Sequence, residues 1–334
     1  MKTLVTGATG FVGSHIARCL IARGHAVRVL ARSPEKAARV FPGGEVEVHA
    51  GDMTDASAVR AALADCGALV HAAAAVSLDP RDAARLLEAN LKGTRSVIGS
   101  ACDAGVPRIL YVSSLSTILA LPGADPGRDS PLRESTNSYA RAKAAAERVV
   151  RAHQDAGAPI AIVYPNGVIG PDDPGRSEAV RAFRGFLKTT LATSGGLASV
   201  DARDLALVCV RLLEEGLRGR FVVGGQFQSW DELVATLEPQ LGRPIPRLRA
   251  PAWLLRGAGS ALDLARRVRP ISSLISREAM EYATRMRPIP NDPIVAELGV
   301  ELRPLAETYR DTLAWLEASR RPRRAELSVR PSGS

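Results

Sequence analysis

The stretch Thr6-Gly7-Ala8-Thr9-Gly10-Phe11-Val12-Gly13 constrains this chain more than any other. It follows a short apolar run, Lys2-Thr3-Leu4-Val5, and opens an amphipathic one over residues 12–23. A glycine-rich turn between a buried strand and a helix lets the backbone bend tightly. It also presents the helix's unsatisfied amides to an anionic group such as a pyrophosphate. The spacing is Gly-x-x-Gly-x-x-Gly, not the commoner Gly-x-Gly-x-x-Gly, so the position after a strand and before a helix carries the reading.

The alternation begun there continues. Runs 3–6, 26–31, 46–49, 68–71, 109–113 and 160–164 predict buried strands, while 12–23, 56–64, 80–104 and 139–154 have helical periodicity. Strand–helix alternation of this kind builds a doubly wound parallel sheet covered by helices on both faces, an α/β fold. Its ligands bind where loops leave the carboxyl ends of the strands. Thr6, Arg32, Asp52, His71, Ser114 and Pro165 occupy those ends. Beyond Pro165 the pattern loosens into a Gly- and Pro-rich stretch, 166–200, with one helical segment at 178–188. A helix to about residue 215, a strand at 220–223 and a mainly helical remainder follow, with Ser229-Trp230-Asp231-Glu232 as one helix start. The expected organisation is a dinucleotide-binding core over 1–165 and a smaller, mainly helical substrate lobe over 166–318, interleaved with the last core elements at 200–224. A basic, disordered tail is expected over 319–334. Trp253, Leu254, Leu255, Leu262 and Leu264 fall at roughly helical spacing, which favours a face buried in the core or a dimer over a membrane-surface helix.

Tyr139 and Lys143 stand in Ser138-Tyr139-Ala140-Arg141-Ala142-Lys143. Four residues apart on a helix, a phenol and an ammonium share one face and can meet one ligand. A nearby ammonium favours phenolate, which is expected to bring Tyr139 nearer to proton exchange at neutral pH. The second predicted strand ends at Arg32-Ser33, with no acid before Glu35 to take a ribose hydroxyl. Arg32 is instead available for a 2′-phosphate, which favours NADP(H) and leaves NAD(H) as the alternative cofactor. Asp52, in Gly51-Asp52-Met53, is placed to accept from an adenine amine.

With these motifs in this order, the chain resembles the extended short-chain dehydrogenases/reductases, the NAD(P)-dependent epimerase/dehydratase family. The match rests on the glycine turn, Gly51-Asp52, His71-Ala72-Ala73-Ala74, Val112-Ser113-Ser114 and Tyr139-x-x-x-Lys143. Asn90, Pro165-Asn166-Gly167-Val168 and Val200-Asp201-Ala202-Arg203-Asp204 add to it. The pattern is nearest to the dihydroflavonol-reductase-like and 3β-hydroxysteroid-dehydrogenase-like branches. The resemblance implies Tyr139 as acid/base, Lys143 on the nicotinamide ribose and Ser114 on the substrate oxygen. It implies cofactor contacts at Gly7, Thr9, Gly10, Phe11, Val12, Gly13, Arg32, Asp52, Met53, Ala72, Ala73, Ala74, Asn90, Lys143, Pro165 and Val168, and places His71 beside the cofactor cleft. Homologues pair through helices matching 81–104 and 139–154, so a homodimer is expected.

Several chemistries share this frame. No acidic pair follows Ser114, where dehydratases carry one, and the acid that epimerases keep after the second strand is absent. The expected function is NADP(H)-dependent interconversion of a carbonyl and a secondary alcohol on a medium-sized, fairly apolar small molecule. Leu115, Ile118, Leu119, Leu121, Phe183 and Phe186 are candidates to line its pocket. An NAD-dependent sugar-nucleotide epimerase and a non-catalytic NADP(H)-binding sensor or scaffold are the alternatives.

Composition adds exclusions. The chain has 334 residues and a net charge of +9, carried almost wholly by arginine. The basic residues read as dispersed, apart from Arg320-Arg321-Pro322-Arg323-Arg324, and aromatics make up only 4%, so specific nucleic-acid binding is not expected. Cys19, Cys66, Cys102 and Cys209 have no paired spacing and suit buried free thiols in a reducing compartment; the five histidines suggest no metal site. No run is long and apolar enough to span a membrane and none precedes the first strand, which makes the cytoplasm the expected location.

Overall fold

The computed structural model describes residues 1–75, 82–121, 123, 125–135, 137–175, 177–266 and 275–319. The expected tail lies, from residue 320 on, outside them. Strands β1 (Lys2–Thr6), β2 (Ala26–Ala31), β3 (Glu47–Ala50), β4 (Ala68–His71), β5 (Ile109–Val112), β6 (Ile160–Pro165) and β10 (Gly219–Val223) form one seven-stranded sheet in the order β10-β6-β5-β4-β1-β2-β3. Every pairing in it is parallel. The order reverses between β1 and β4, so the loops after these two strands diverge and open a crevice at their carboxyl ends.

Helices cover both faces, as the alternation predicted. On one side α1 (Phe11–Ala22) packs with α7 (Ala202–Glu214) over an apolar layer that includes Ile16, Leu20, Leu205, Val208 and Leu212. On the other lie α3 (Ala56–Leu63), α4 (Ala83–Asp103) and α5 (Ser138–Asp155), burying Val59, Val97, Ile98 and Val150. The short helix α2 (Pro34–Val40) was not anticipated, although Ser33 caps it and Pro34 stands in its first turn.

The lobe holds α6 (Glu178–Phe186), α8 (Trp230–Leu241), α9 (Ala252–Ala265), α10 (Arg277–Arg285), α11 (Ile294–Glu297) and α12 (Leu305–Ala318). Five short strands accompany them, none foreseen. The strands β7 (Gly167–Ile169), β9 (Gly196–Asp201) and β11 (Gln226–Ser229) make one small sheet; β8 (Thr190–Ala192) and β12 (Arg247–Arg249) make another. The lobe has its own apolar cluster, in which Phe183 stacks on Tyr309 with ring centroids 5.4 Å apart.

Ion pairs fasten α12 to the start of α7. Arg203 bridges Asp201 and Asp311 at 2.7 Å each, Thr308 donates to Asp201 at 2.8 Å, and Arg303 pairs with the buried Asp204. The Trp253 to Leu264 stripe does not take the first of its two expected placements, burial in the core. It forms α9, yet Trp253 is 69% exposed and Leu264 62%, so this face is not part of the chain's core. Its packed face is the one carrying Arg256 and Asp263.

Candidate active site

The glycine turn closes on itself through Gly10 N–H donating to the Gly7 carbonyl at 2.9 Å. Gly7 has φ of +79°, and a Cβ there would come within 2.6 Å of the Ala73 backbone nitrogen. On Gly13 a Cβ would run into the Gly7 carbonyl. Both positions therefore require glycine, one for its left-handed backbone and both for close approach. Gly10, the residue ahead of α1, supplies no side-chain cap, and the first turn of α1 holds no acid. The first amides of α1 face the crevice without a side-chain acceptor, which fits a dinucleotide pyrophosphate.

Around the turn, the sequence-identified residues converge. Ala72 N–H donates to the Thr6 carbonyl at 3.2 Å, and the 72–73 backbone packs against Gly7. The buried Asn90 accepts from the Ala75 N–H at 2.8 Å and donates one of its two amide hydrogens to the Ala75 carbonyl at 3.0 Å, so it braces this loop. Asp52 accepts from Thr54 N–H at 2.8 Å, Met53 packs close to Gly93, and Arg32 stands exposed just past β2. Pro165 ends β6 and Val168 lies half-buried in β7, on the far side of the crevice.

Asn137 accepts from the Tyr139 and Ala140 amides at 2.9 and 3.1 Å, capping α5 and fixing Tyr139 in its first turn. Glu278 of α10 takes the Asn137 N–H at 3.1 Å, so the lobe grips the start of this helix. Tyr139 is half-buried, with its hydroxyl near enough to Ser114 to feel it. Lys143, one turn on, is 4% exposed and donates to the Val112 carbonyl at 2.7 Å. Ser114, Tyr139 and Lys143 thus meet at the carboxyl end of β5.

The electrostatics differ from the expectation. Burial raises the Tyr139 pKa above its ordinary value, and the Ser114 hydrogen bond offsets this only in part. Lys143 is itself brought down to about 8 by burial, which Glu147 partly opposes. Its ammonium is turned to the Val112 carbonyl, so desolvation, not a neighbouring cation, dominates at the phenol. His71, expected beside the cleft, lies fully buried beneath it. Its ring meets Thr6 Oγ1 at 2.7 Å and Thr94 Oγ1 at 3.2 Å, and burial with the Lys143 charge lowers its pKa to about 3.

Glu147 is the residue missed from the sequence. It is wholly buried and accepts from Ser113, from Thr117 Oγ1 at 2.8 Å, from Tyr164 at 2.6 Å and from Arg151 at 2.8 Å. Ser113 and Thr117 flank Ser114, so this carboxylate holds the turn on which Ser114 rides. The signal was available, since Glu147 continues the four-residue spacing of Tyr139 and Lys143. The proposed pocket residues do not form a cleft wall. Leu115, Ile118 and Leu119 are buried in the core with Leu121 packed against it, Phe183 faces Tyr309, and Phe186 faces Trp230. Their side chains satisfy interior packing, which outweighs exposure of large apolar groups to a solvated pocket.

Comparison with known proteins agrees with this arrangement. A family model described as NAD dependent epimerase/dehydratase family matches residues 3–224. Sterol demethylase protein B of Methylococcus capsulatus is 34% identical over 277 residues, covering 81% of this chain and 84% of that protein. A putative dihydroflavonol 4-reductase of Synechocystis is 30% identical over 261 residues, 75% of each chain. The crystal structure of gox2253 matches with a TM-score of 0.80 at 29% identity, covering 96% of this chain and 98% of that one. Glycine turn, parallel sheet and Tyr-x-x-x-Lys helix thus all lead to one assignment: the chain belongs to the NAD-dependent epimerase/dehydratase family and is an NAD(P)-dependent enzyme of the extended short-chain dehydrogenase/reductase type.

Proposed function

We propose that this enzyme uses NADP(H) to interconvert a carbonyl and a secondary alcohol on a medium-sized, fairly apolar substrate. The observation that carries the reading is the meeting of Ser114, Tyr139 and Lys143 at the end of β5, beside the uncapped start of α1. In this reading residues 1–165 hold the dinucleotide, and 166–318 supply the substrate side. The glycine turn and α1 amides hold the pyrophosphate, and Arg32 takes the 2′-phosphate. Asp52 and Met53 flank the adenine, and Pro165 and Val168 bound the nicotinamide. The bound cofactor supplies or accepts hydride at the substrate carbon. Ser114 orients the substrate oxygen by a hydrogen bond. The Tyr139 hydroxyl gives that oxygen its proton in the reducing direction and takes it back in the oxidising one. Tyr139, already a phenol at neutral pH, is held further in that form by burial. Lys143, held on the Val112 carbonyl, lies one turn from Tyr139 to stabilise the phenolate left behind.

Similarity to a sterol demethylase protein and to a putative dihydroflavonol 4-reductase supports an extended, largely apolar substrate. A homodimer is part of the reading, through the outward face of α4 and α5, where Leu91, Ala145 and Val149 lie among Arg95, Arg148 and His153. Cofactor release and exchange test the function. NADPH is expected to bind reversibly and more tightly than NADH, with the preference reversed by Arg32→Asp. Stoichiometric, non-exchanging NAD would overturn the reading in favour of an epimerase. Binding without turnover across apolar ketones and alcohols would leave only a sensor.

A further inference from the structure

Helix α9 is built inside out. Trp253, Leu254, Ala258, Ala261, Leu264 and Ala265 are exposed, at spacings that place them on one side of the helix, and no exposed position on it is charged. Its charged side chains are turned toward the protein. Arg256 donates to Thr284 Oγ1 at 3.1 Å, and Asp263 pairs with Arg266 at 2.7 Å and takes the Arg277 N–H at 2.9 Å. Gly259, the one buried residue of α9, lets it approach the Ser276–Arg277 backbone so closely that a Cβ would fall 2.7 Å from it. The orientation is therefore fixed by specific contacts, and the apolar side faces outward. Leu248 (56%) and Ile275 (41%), before and after this helix in the sequence, are exposed apolar side chains too.

Positive charge is concentrated in the sequence that carries this helix, contrary to the even spread expected from the whole sequence. Between residues 243 and 287 there are ten arginines, no lysine and three carboxylates. Asp231 and Glu238 of α8 pair with Arg247 and Arg249, which reduces the excess without removing it. Arg249 and Arg277 remain 70% and 67% exposed at their side chains although Asp231 and Glu281 pair with them, and Asp125 pairs with Arg287. An apolar helix face in a segment of net positive charge is complementary to an anionic lipid surface, which offers hydrocarbon beneath a layer of negative headgroups. A second copy meeting this face about a twofold axis would set two arginine-rich segments against each other. Fourteen residues of helix reach only ~21 Å, short of the ~30 Å hydrocarbon core, so this is a face that rests on a bilayer and does not cross it.

We propose that α9 docks the substrate lobe onto anionic phospholipid bilayers. The test is co-sedimentation of the full chain with vesicles of phosphatidylcholine alone and of equal parts phosphatidylcholine and phosphatidylglycerol. Binding to the second but not the first is expected, weakened by salt. The double variant Trp253→Gln, Leu264→Gln should lose about tenfold or more of it. Both side chains are exposed, so its cofactor affinity and unfolding midpoint serve as checks that it is folded. This variant keeps every arginine, the tail included, so unchanged binding would reduce the effect to charge attraction and overturn the proposal. No binding to phosphatidylglycerol vesicles would overturn it too. So would a concentration-dependent dimer that the double variant abolishes, which would assign the face to a second copy.

Discussion

Val5, Val29, Val70, Leu110, Val112 and Val163 point from the central sheet toward α1 and α7, and all are aliphatic. Their strand neighbours Arg28, His71, Tyr111 and Tyr164 point toward α3, α4 and α5, where they meet Thr94, Lys143, Glu147 and Arg151. The same strands thus carry an almost wholly apolar layer on one side and, on the other, a buried polar network set among apolar residues. An apolar layer stabilises without demanding direction, whereas a polar one must have every donor and acceptor met. The second arrangement puts stability at risk but holds Ser114 and Lys143 in one geometry. Catalysis is therefore expected on the polar side, and the apolar side is expected to act as its ballast.

The sharpest way to break this contrast is to remove chemistry from the polar side without removing packing. Tyr139→Phe should lower turnover about 10³-fold while cofactor affinity measured by titration stays the same. Retained turnover would sink the assignment of Tyr139. Glu147→Ala should cost about 4 kcal/mol in urea unfolding, because Arg151 is left buried without its partner and Ser113, Thr117 and Tyr164 lose their acceptor. Turnover should fall as well, with KM little changed. Leu212→Ala on the apolar side should cost about 3 kcal/mol in the same experiment, yet leave turnover of the folded fraction unaltered. If both variants affected turnover equally, the two faces would not differ as argued.

The smallest effect expected concerns acid. His71 is neutral in the folded protein with a pKa near 3, whereas its unfolded value is 6.5. Between these values the unfolded chain binds more protons, so stability falls as pH drops below 6.5 and the loss levels off near 3. Near pH 5 about 2 kcal/mol should be lost relative to neutral pH, and His71→Asn should lose less. Equal acid sensitivity in the two proteins would show that His71 is not responsible.

The frame that carries this asymmetry could be read from the sequence, though the asymmetry itself could not. Strand spacing, glycine turn and Tyr-x-x-x-Lys are local patterns, and they placed the six core strands up to β6 and the catalytic helix to within a residue or two. What escaped notice depends on distant partners. The strands β7, β9 and β11 are three to six residues long and exist because they pair with one another across the lobe, which no local periodicity reports. Glu147 looks like a surface residue of an amphipathic helix until Ser113, Thr117 and Tyr164 converge on it. The α9 stripe has the spacing of a buried face, but only tertiary contact determines which side of a helix is covered. The raised pKa of Tyr139 likewise depends on depth in the protein, which sequence spacing does not encode.

The fastening of α12 to α7 also bears on how the chain comes into being. Asp201 and Asp204 open α7 early, but Thr308 lies 107 residues after Asp201, Asp311 lies 108 after Arg203, and Arg303 lies 99 after Asp204. During synthesis these carboxylates must wait for partners about a hundred residues further on, so the sheet's last elements have no reason to settle until residues 303–311 have emerged. Completion of the sheet is thereby coupled to synthesis of that segment, and a chain that stops short of it is left with unpaired carboxylates in its interior that quality control can recognise.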